Sequence, residues 1–222
     1  MKIALLQINP TVGDFAGNAR LIADAVRQAG AQGAQLAITP ELALVGYLPR
    51  DLLLNEEFVR RAWDQLAALA AELKDGPPVL VGLPEPNDGD EGRPLFNTAA
   101  LIRNGVIVER FRKALLPTYD VFDEDRYFEP FHGAQILEID GWRLGISICE
   151  DIWNDRDFWR RRRYHHDPVE VGVGDRPQGH VPQRLALHLG QEFVRCAATC
   201  GDGLLQHREQ RRVQPSDLSA GE

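Results

Sequence analysis

The sequence predicts an α/β fold in which a mixed sheet is covered by helices. Short apolar runs alternate with helical stretches through the first half of the chain, the order expected of strands joined by crossover helices. In the second half, Asn104-Gly105 and Asp140-Gly141 each separate two apolar segments, the signature of antiparallel hairpins.

Residues 2–8 (KIALLQI) are short and apolar and run into Asn9-Pro10, which predicts a buried first strand. Residues 14–18 lead into a helix in which Leu21, Ile22, Ala25 and Val26 recur at helical spacing until Gly30. Residues 35–39 repeat the strand signal, and Pro40-Glu41 breaks it. Residues 42–55, interrupted by Gly46 and Pro49, predict a compact loop. Residues 56–73 carry Phe58, Trp63, Leu66, Leu69 and Leu73 on one stripe and form the second helix. A third strand is expected at 78–84 and an acidic surface loop at 85–93. A hairpin follows at 96–103 and 106–111, then a mixed acidic and aromatic loop at 121–128, then a second hairpin at 135–139 and 142–148.

Composition narrows the function. The chain has 222 residues, 44% of them hydrophobic and 26% charged, enough to bury a real core. A net charge of −8 argues against nucleic acid or an anionic membrane as partner, since both require a basic face. No apolar run approaches the ~20 residues a membrane helix needs. Three irregularly spaced cysteines and the strand that directly follows Met1 predict a reduced, cytoplasmic chain. Only Lys2, Lys74 and Lys113 of the 25 basic residues are lysine, so the position of each lysine is informative.

Three side chains each close a strand beside a turn: Glu41, Lys113 and Cys149. If those strands lie side by side, their ends meet at one edge, where open α/β folds place their chemistry. Taken singly, each has a plain structural reading: a cap, a solvated charge and a small core residue. Together they supply a base, a cation and a nucleophile, the set required for acyl transfer from an amide. A neighbouring ammonium favours the thiolate, and Glu41 can take the thiol proton. Lys113 and a backbone N–H stabilise the tetrahedral oxyanion. Glu41 then protonates departing ammonia and activates the water that cleaves the thioester. Neither a metal nor an organic cofactor is needed for this step.

TPELALVGYLPRDLL around Glu41, RKALLPTYDVFDEDRYFEP around Lys113 and GISICEDIW around Cys149 resemble the Glu-Lys-Cys signature of the nitrilase, or carbon–nitrogen hydrolase, superfamily. The wording is closer still to the glutaminase domains of glutamine-dependent NAD synthetases, over about residues 1–170. The resemblance implies a nitrilase-like αββα sandwich with mixed sheets. It also implies hydrolysis of glutamine to glutamate and ammonia, with the ammonia passing to deamido-NAD activated by ATP on a separate synthetase domain. Glu41 would be the general base, Lys113 the oxyanion stabiliser and Cys149 the nucleophile. Tyr119 matches a residue that contacts glutamine, and Glu124 a second glutamate that supports the lysine. Homo-oligomers joined through this domain are implied as well.

The resemblance stops near residue 170. Residues 171–222 mix Gly, Pro, Gln and Arg without a sustained period, and only 183–196 reads as a possible helix. The expectation is a sandwich incomplete at its C-terminus, a poorly ordered tail and no ATP-dependent domain, the tail being an out-of-frame product or a divergent terminus. Cys196 and Cys200 with His180, His188 and His207 do not have zinc spacing. Residues 160–163 read as a solvated helix face and VGVGDRPQG as a loop. Two rivals to the glutaminase reading stay open: a freestanding amidase acting on another small carboxamide, and an inactive fragment.

Overall fold

The computed structural model describes residues 1–154 and 161–168, with the backbone of three later strands. In chain order the elements are β1 (Ile3–Leu5), α1 (Phe15–Ala31), β2 (Leu36–Ile38), α2 (Glu56–Glu72), β3 (Val79–Pro86), β4 (Leu95–Arg103), β5 (Val106–Arg112), β6 (Ile136–Ile139), β7 (Trp142–Ile148), β8 (Arg184–Leu189), β9 (Cys196–Cys200) and β10 (Leu204–Gln206). Single 3-10 turns occur at Arg50–Leu54, Glu124–Arg126 and Cys149–Ile152. Both helices start on side-chain caps: Asp14 accepts from the Gly17 N–H, and Asn55 accepts from Glu57 and Phe58.

Among the described residues there are two mixed five-stranded sheets. The first has the order β1-β2-β3-β4-β5, parallel through β3 and antiparallel beyond it. The second has the order β10-β9-β8-β7-β6, with only β7 and β8 parallel. Strand alternation fixes the layers. Ala37, Val79, Val81, Leu83, Ala100 and Ile102 face α1 and α2, where they bury Ile22, Val26, Leu66 and Leu69. Their neighbours Leu36, Ile38, Leu80, Ala99 and Leu101 face the second sheet and pack against Leu137, Leu144, Ile146 and Ile148. Each of the fully buried Val, Leu and Ile side chains among these contributes on the order of 2 kcal/mol. Helices, first sheet and second sheet are thus three layers of the expected sandwich among the described residues. No helix among them is long and apolar enough to cross a membrane.

The structure corrects the sequence reading in four places. The strands carrying Glu41, Lys113 and Cys149 are not side by side: β2 and β5 are separated by β3 and β4, and β7 belongs to the other sheet. Glu85 is not in a surface loop but buried at the end of β3, because Thr98 Oγ1 donates to it and Arg110 and Arg112 pair with it from β5. Residues 184–189 form a strand rather than part of a helix, since β7 offers them a parallel ladder and Leu185, Leu187 and Leu189 recur at period two. Arg161 to Arg163 lie in a non-helical segment; Arg160 and VGVGDRPQG fall outside the described residues.

Candidate active site

Glu41 is fully buried in the turn after β2, and β3 holds that turn by its backbone. Thr39 Oγ1 accepts from the Gly82 N–H at 3.0 Å and donates to the Pro40 carbonyl at 3.0 Å. The Leu44 N–H donates to the Gly82 carbonyl at 3.0 Å. A Cβ at position 82 would stand 2.5 Å from the Leu42 nitrogen and 2.7 Å from the Pro40 oxygen, so only glycine lets β3 pass this close. Gly82→Ala is therefore expected to cost about 1–3 kcal/mol and to displace Glu41. Chemical denaturation checks the first effect and residual turnover the second; a variant as stable as the parent would refute the close-approach argument.

Lys113 directly follows β5 and is fully buried. Its ammonium donates to Glu41 Oε1 at 2.6 Å and to Glu124 Oε2 at 2.7 Å. Asn97, on β4, lies beside both carboxylates: its Nδ2 donates to Glu41 Oε1 at 2.8 Å and to Glu124 Oε2 at 3.5 Å. The Asn97 carbonyl accepts the Lys113 N–H at 2.8 Å, extending the β4–β5 ladder by one residue. Glu124 comes from the 3-10 turn in the acidic and aromatic loop, where its backbone N–H donates to the Pro117 carbonyl.

Cys149 arrives from the second sheet, half-buried, at φ +46° on the first residue after β7. A non-glycine residue held in this region stores roughly 1–3 kcal/mol of strain, a feature concentrated at functional turns. Asp151 holds the turn in place. Its Oδ2 accepts the Ile148 N–H at 2.8 Å, while its Oδ1 accepts the N–H groups of Ala114 at 3.0 Å and Leu115 at 2.8 Å. One buried carboxylate thus ties the Cys149 turn of one sheet to the residues that follow Lys113 in the other. The Cys149 thiol lies close enough to Glu41, Lys113 and Glu124 to feel the charge of each.

Beside the thiol, Glu150 Oε2 accepts from the Tyr119 hydroxyl at 2.8 Å and its Oε1 accepts from the Tyr164 hydroxyl at 2.9 Å. The Arg163 guanidinium stacks 3.9 Å over the Tyr119 ring. A small cavity of about 110 Å³ adjoins Glu124, lined by Tyr47, Leu53, Val121, Tyr127 and Phe128. All five residues singled out from the sequence, Glu41, Lys113, Cys149, Tyr119 and Glu124, lie in this region. Asn97, Glu150, Asp151 and Tyr164 were not singled out. Asn97 had the one available signal, an amide inside the otherwise apolar run of β4.

The electrostatics follow from burying so many charges together. Burial would push the Lys113 ammonium down, but Glu124 and Glu41 outweigh it and hold it well above its ordinary value. Burial raises the Glu124 carboxyl to about 7 against the opposing pull of Lys113. The Cys149 thiol is pushed up by burial and by Glu41, and Lys113 offsets only part of this. Lys113 favours the thiolate, as the sequence argument expected, but burial and then Glu41 outweigh it, so the sulfur needs a base.

Burial also raises the Asp151 carboxyl to about 6. Glu124 and Asp151 then hold protons in the folded chain that the unfolded chain, titrating near 4.5 and 3.8, has already released. Stability is expected to fall as pH rises from about 4 to about 7. Burial pushes Glu85 up, but hydrogen bonds from Arg112, Thr98 and Arg110 outweigh it and leave the carboxyl lowered, so its opposite dependence is confined below 4.5. Urea unfolding at about pH 5 and about pH 8 tests the sign; greater stability at the higher pH would refute it.

Residues 2–165 match the model of the carbon-nitrogen hydrolase family. A glutamine-dependent NAD(+) synthetase from Synechocystis sp. is 46% identical over 170 residues, covering 75% of this chain and 30% of that protein. The solved glutamine-dependent NAD+ synthetase from Acinetobacter baumannii, in complex with ADP, is 35% identical with a TM-score of 0.62, over 68% of this chain and 28% of that one. An amidase from Nesterenkonia sp. AN1, solved as a variant showing Michael addition of acrylamide at its active site cysteine, is 31% identical with a TM-score of 0.57, over 68% of this chain and 58% of that one. The chain spans less than a third of the length of the synthetases it matches.

Proposed function

The chain belongs to the carbon–nitrogen hydrolase family, and from that premise we propose that it hydrolyses the side-chain amide of glutamine to glutamate and ammonia. The observation that carries this reading is the buried Glu41–Lys113–Glu124 cluster set against the thiol of a strained turn. Glu41 takes the thiol proton as sulfur attacks the amide carbon. The ammonium has three N–H bonds: two hold Glu41 and Glu124, and the third meets the oxyanion together with a backbone N–H of the Cys149 turn. The C–N bond breaks as Glu41 returns its proton to the leaving ammonia. Glu41 then deprotonates water, which attacks the thioester, and the proton passes back to sulfur as glutamate departs. Glu124 holds the lysine throughout, and Tyr119 contacts the glutamine.

In the longer relatives' setting, the ammonia would serve ATP-dependent conversion of deamido-NAD to NAD. Those nucleotides would be bound by sequence outside residues 2–165, and none is required for amide hydrolysis. The similarity to an amidase, 58% of which this chain covers, favours one second reading: hydrolysis of another small carboxamide by the same residues.

Ammonia release by the purified chain tests both, with glutamine and acetamide supplied separately and Cys149→Ala run alongside. Release from glutamine alone supports the glutaminase. Release from acetamide alone transfers the assignment to an amidase. A folded chain that releases ammonia from no amide overturns the hydrolase reading.

A further inference from the structure

We propose that Asn97 is a positioning residue that holds Glu41 and Glu124 on either side of Lys113 through a donor that adds no charge, so that the cluster keeps the negative charge that receives the thiol proton. This rests on the reading of Glu41 as base and Cys149 as nucleophile. Asn97 is nearly inaccessible to solvent, at 1% exposure, and it meets the cluster at three points. Its Nδ2 bridges the two carboxylates, and its carbonyl fixes the Lys113 backbone through the ladder. The amide's orientation follows from chemistry: two carboxylates can only accept, so the nitrogen must face them. Its Oδ1 is buried and meets no donor among the described residues, an arrangement that costs free energy and is imposed by what the nitrogen binds.

The choice of a neutral donor matters. The titratable groups gathered around this amide are Glu41 after β2, Lys113 after β5 and Glu124 from the 3-10 turn, with Cys149 and Tyr47 beyond them. Two carboxylates against one ammonium leave a negative charge to receive the thiol proton. A second cation at position 97 would quench that charge, and a third carboxylate would compete for the lysine. An amide supplies donors without altering the charge count, and a hydrogen bond donated to a carboxylate favours its ionised form.

Removing the donor should therefore raise the proton affinity of Glu124, which shares Lys113 with Glu41. In Asn97→Leu, which keeps the branched outline but is larger and donates no hydrogen bond, the acid limb of kcat/KM for ammonia release is expected to move up by about one pH unit. Alkylation of Cys149 by iodoacetamide, read by mass spectrometry on the Cys149 peptide, should shift in the same direction. A uniform loss at every pH with both limbs in place would mean a structural role only and would overturn the proposal. If Asn97→Leu fails to fold, the parent chain still decides. Its Asn97 side-chain amide NMR resonance, assigned with Asn97→Ser, should step with the carboxylate titration, and a flat response from about pH 4 to 9 would overturn it. Alkylation needs no amide substrate. A shifted alkylation limb in a chain that hydrolyses no glutamine would therefore sink the substrate assignment and leave the role of Asn97 standing.

Discussion

Cys149→Ala is expected to reduce ammonia release by a factor on the order of 10⁴ or more while leaving the fold intact. Every covalent step of the proposed reaction passes through this sulfur, and the Cys149 turn offers no other nucleophile of the same reach. The structural cost is small for two reasons. The thiol is half-buried, so its loss leaves little enclosed volume, and Asp151 grips the turn through backbone N–H groups that the substitution does not touch. Ammonia assays and a urea titration on the same preparation separate the two effects. Turnover near the parent's would refute the nucleophile assignment.

Lys113→Met should be as damaging to turnover and should harm the fold as well. The side chain is among the largest fully buried ones, and methionine fills much of its volume but leaves Glu41 and Glu124 facing each other without a cation. Removing one partner of a buried ion pair typically costs about 3–5 kcal/mol. The penalty should depend on pH with a definite sign. Without the ammonium, the folded-state proton affinity of Glu124 rises further above its unfolded value, so the variant's stability is greatest at acid pH and is lost as pH increases. Denaturation midpoints of parent and variant, compared across pH, check this. A gap that narrows toward alkaline pH would mean that the lysine does not hold the pair.

Strand alternation and turn chemistry made most of the fold legible in the sequence. β7 runs from Trp142 to Ile148 as alternation predicts, and Asn104 and Asp140 take the positive φ that their hairpin turns require. The polar residues that close strands pointed to Glu41, Lys113 and Cys149 because charge at the end of an apolar run is conspicuous. Sheet assignment was only half legible: the Asp140-Gly141 turn pairs β7 with β6, but nothing local in LGISIC says that its other neighbour is β8 rather than β5. Asn97 and Glu85 were missed for one reason. Each sits within a strand pattern whose period says which face a residue takes, but not that a buried partner of opposite character waits there. Nothing beside Asp151 in the sequence shows that two of its three backbone contacts lie at Ala114 and Leu115, far away along the chain.

Dividing the reactive groups between two sheets makes chemical competence a property of a seam. The proposed base and oxyanion cation follow strands of one sheet and the sulfur follows a strand of the other, and the two sheets meet across an apolar layer of Leu36, Ile38, Leu80, Leu144, Ile146 and Ile148, joined at the site by the Asp151 carboxylate. Sliding one sheet against the other by a fraction of a side chain would leave every helix and strand formed and the reaction silent. Inactivation in mild denaturant should then precede loss of the far-ultraviolet signal, since local openings need less free energy than global unfolding. A small molecule wedged into that layer would inhibit without entering the substrate pocket.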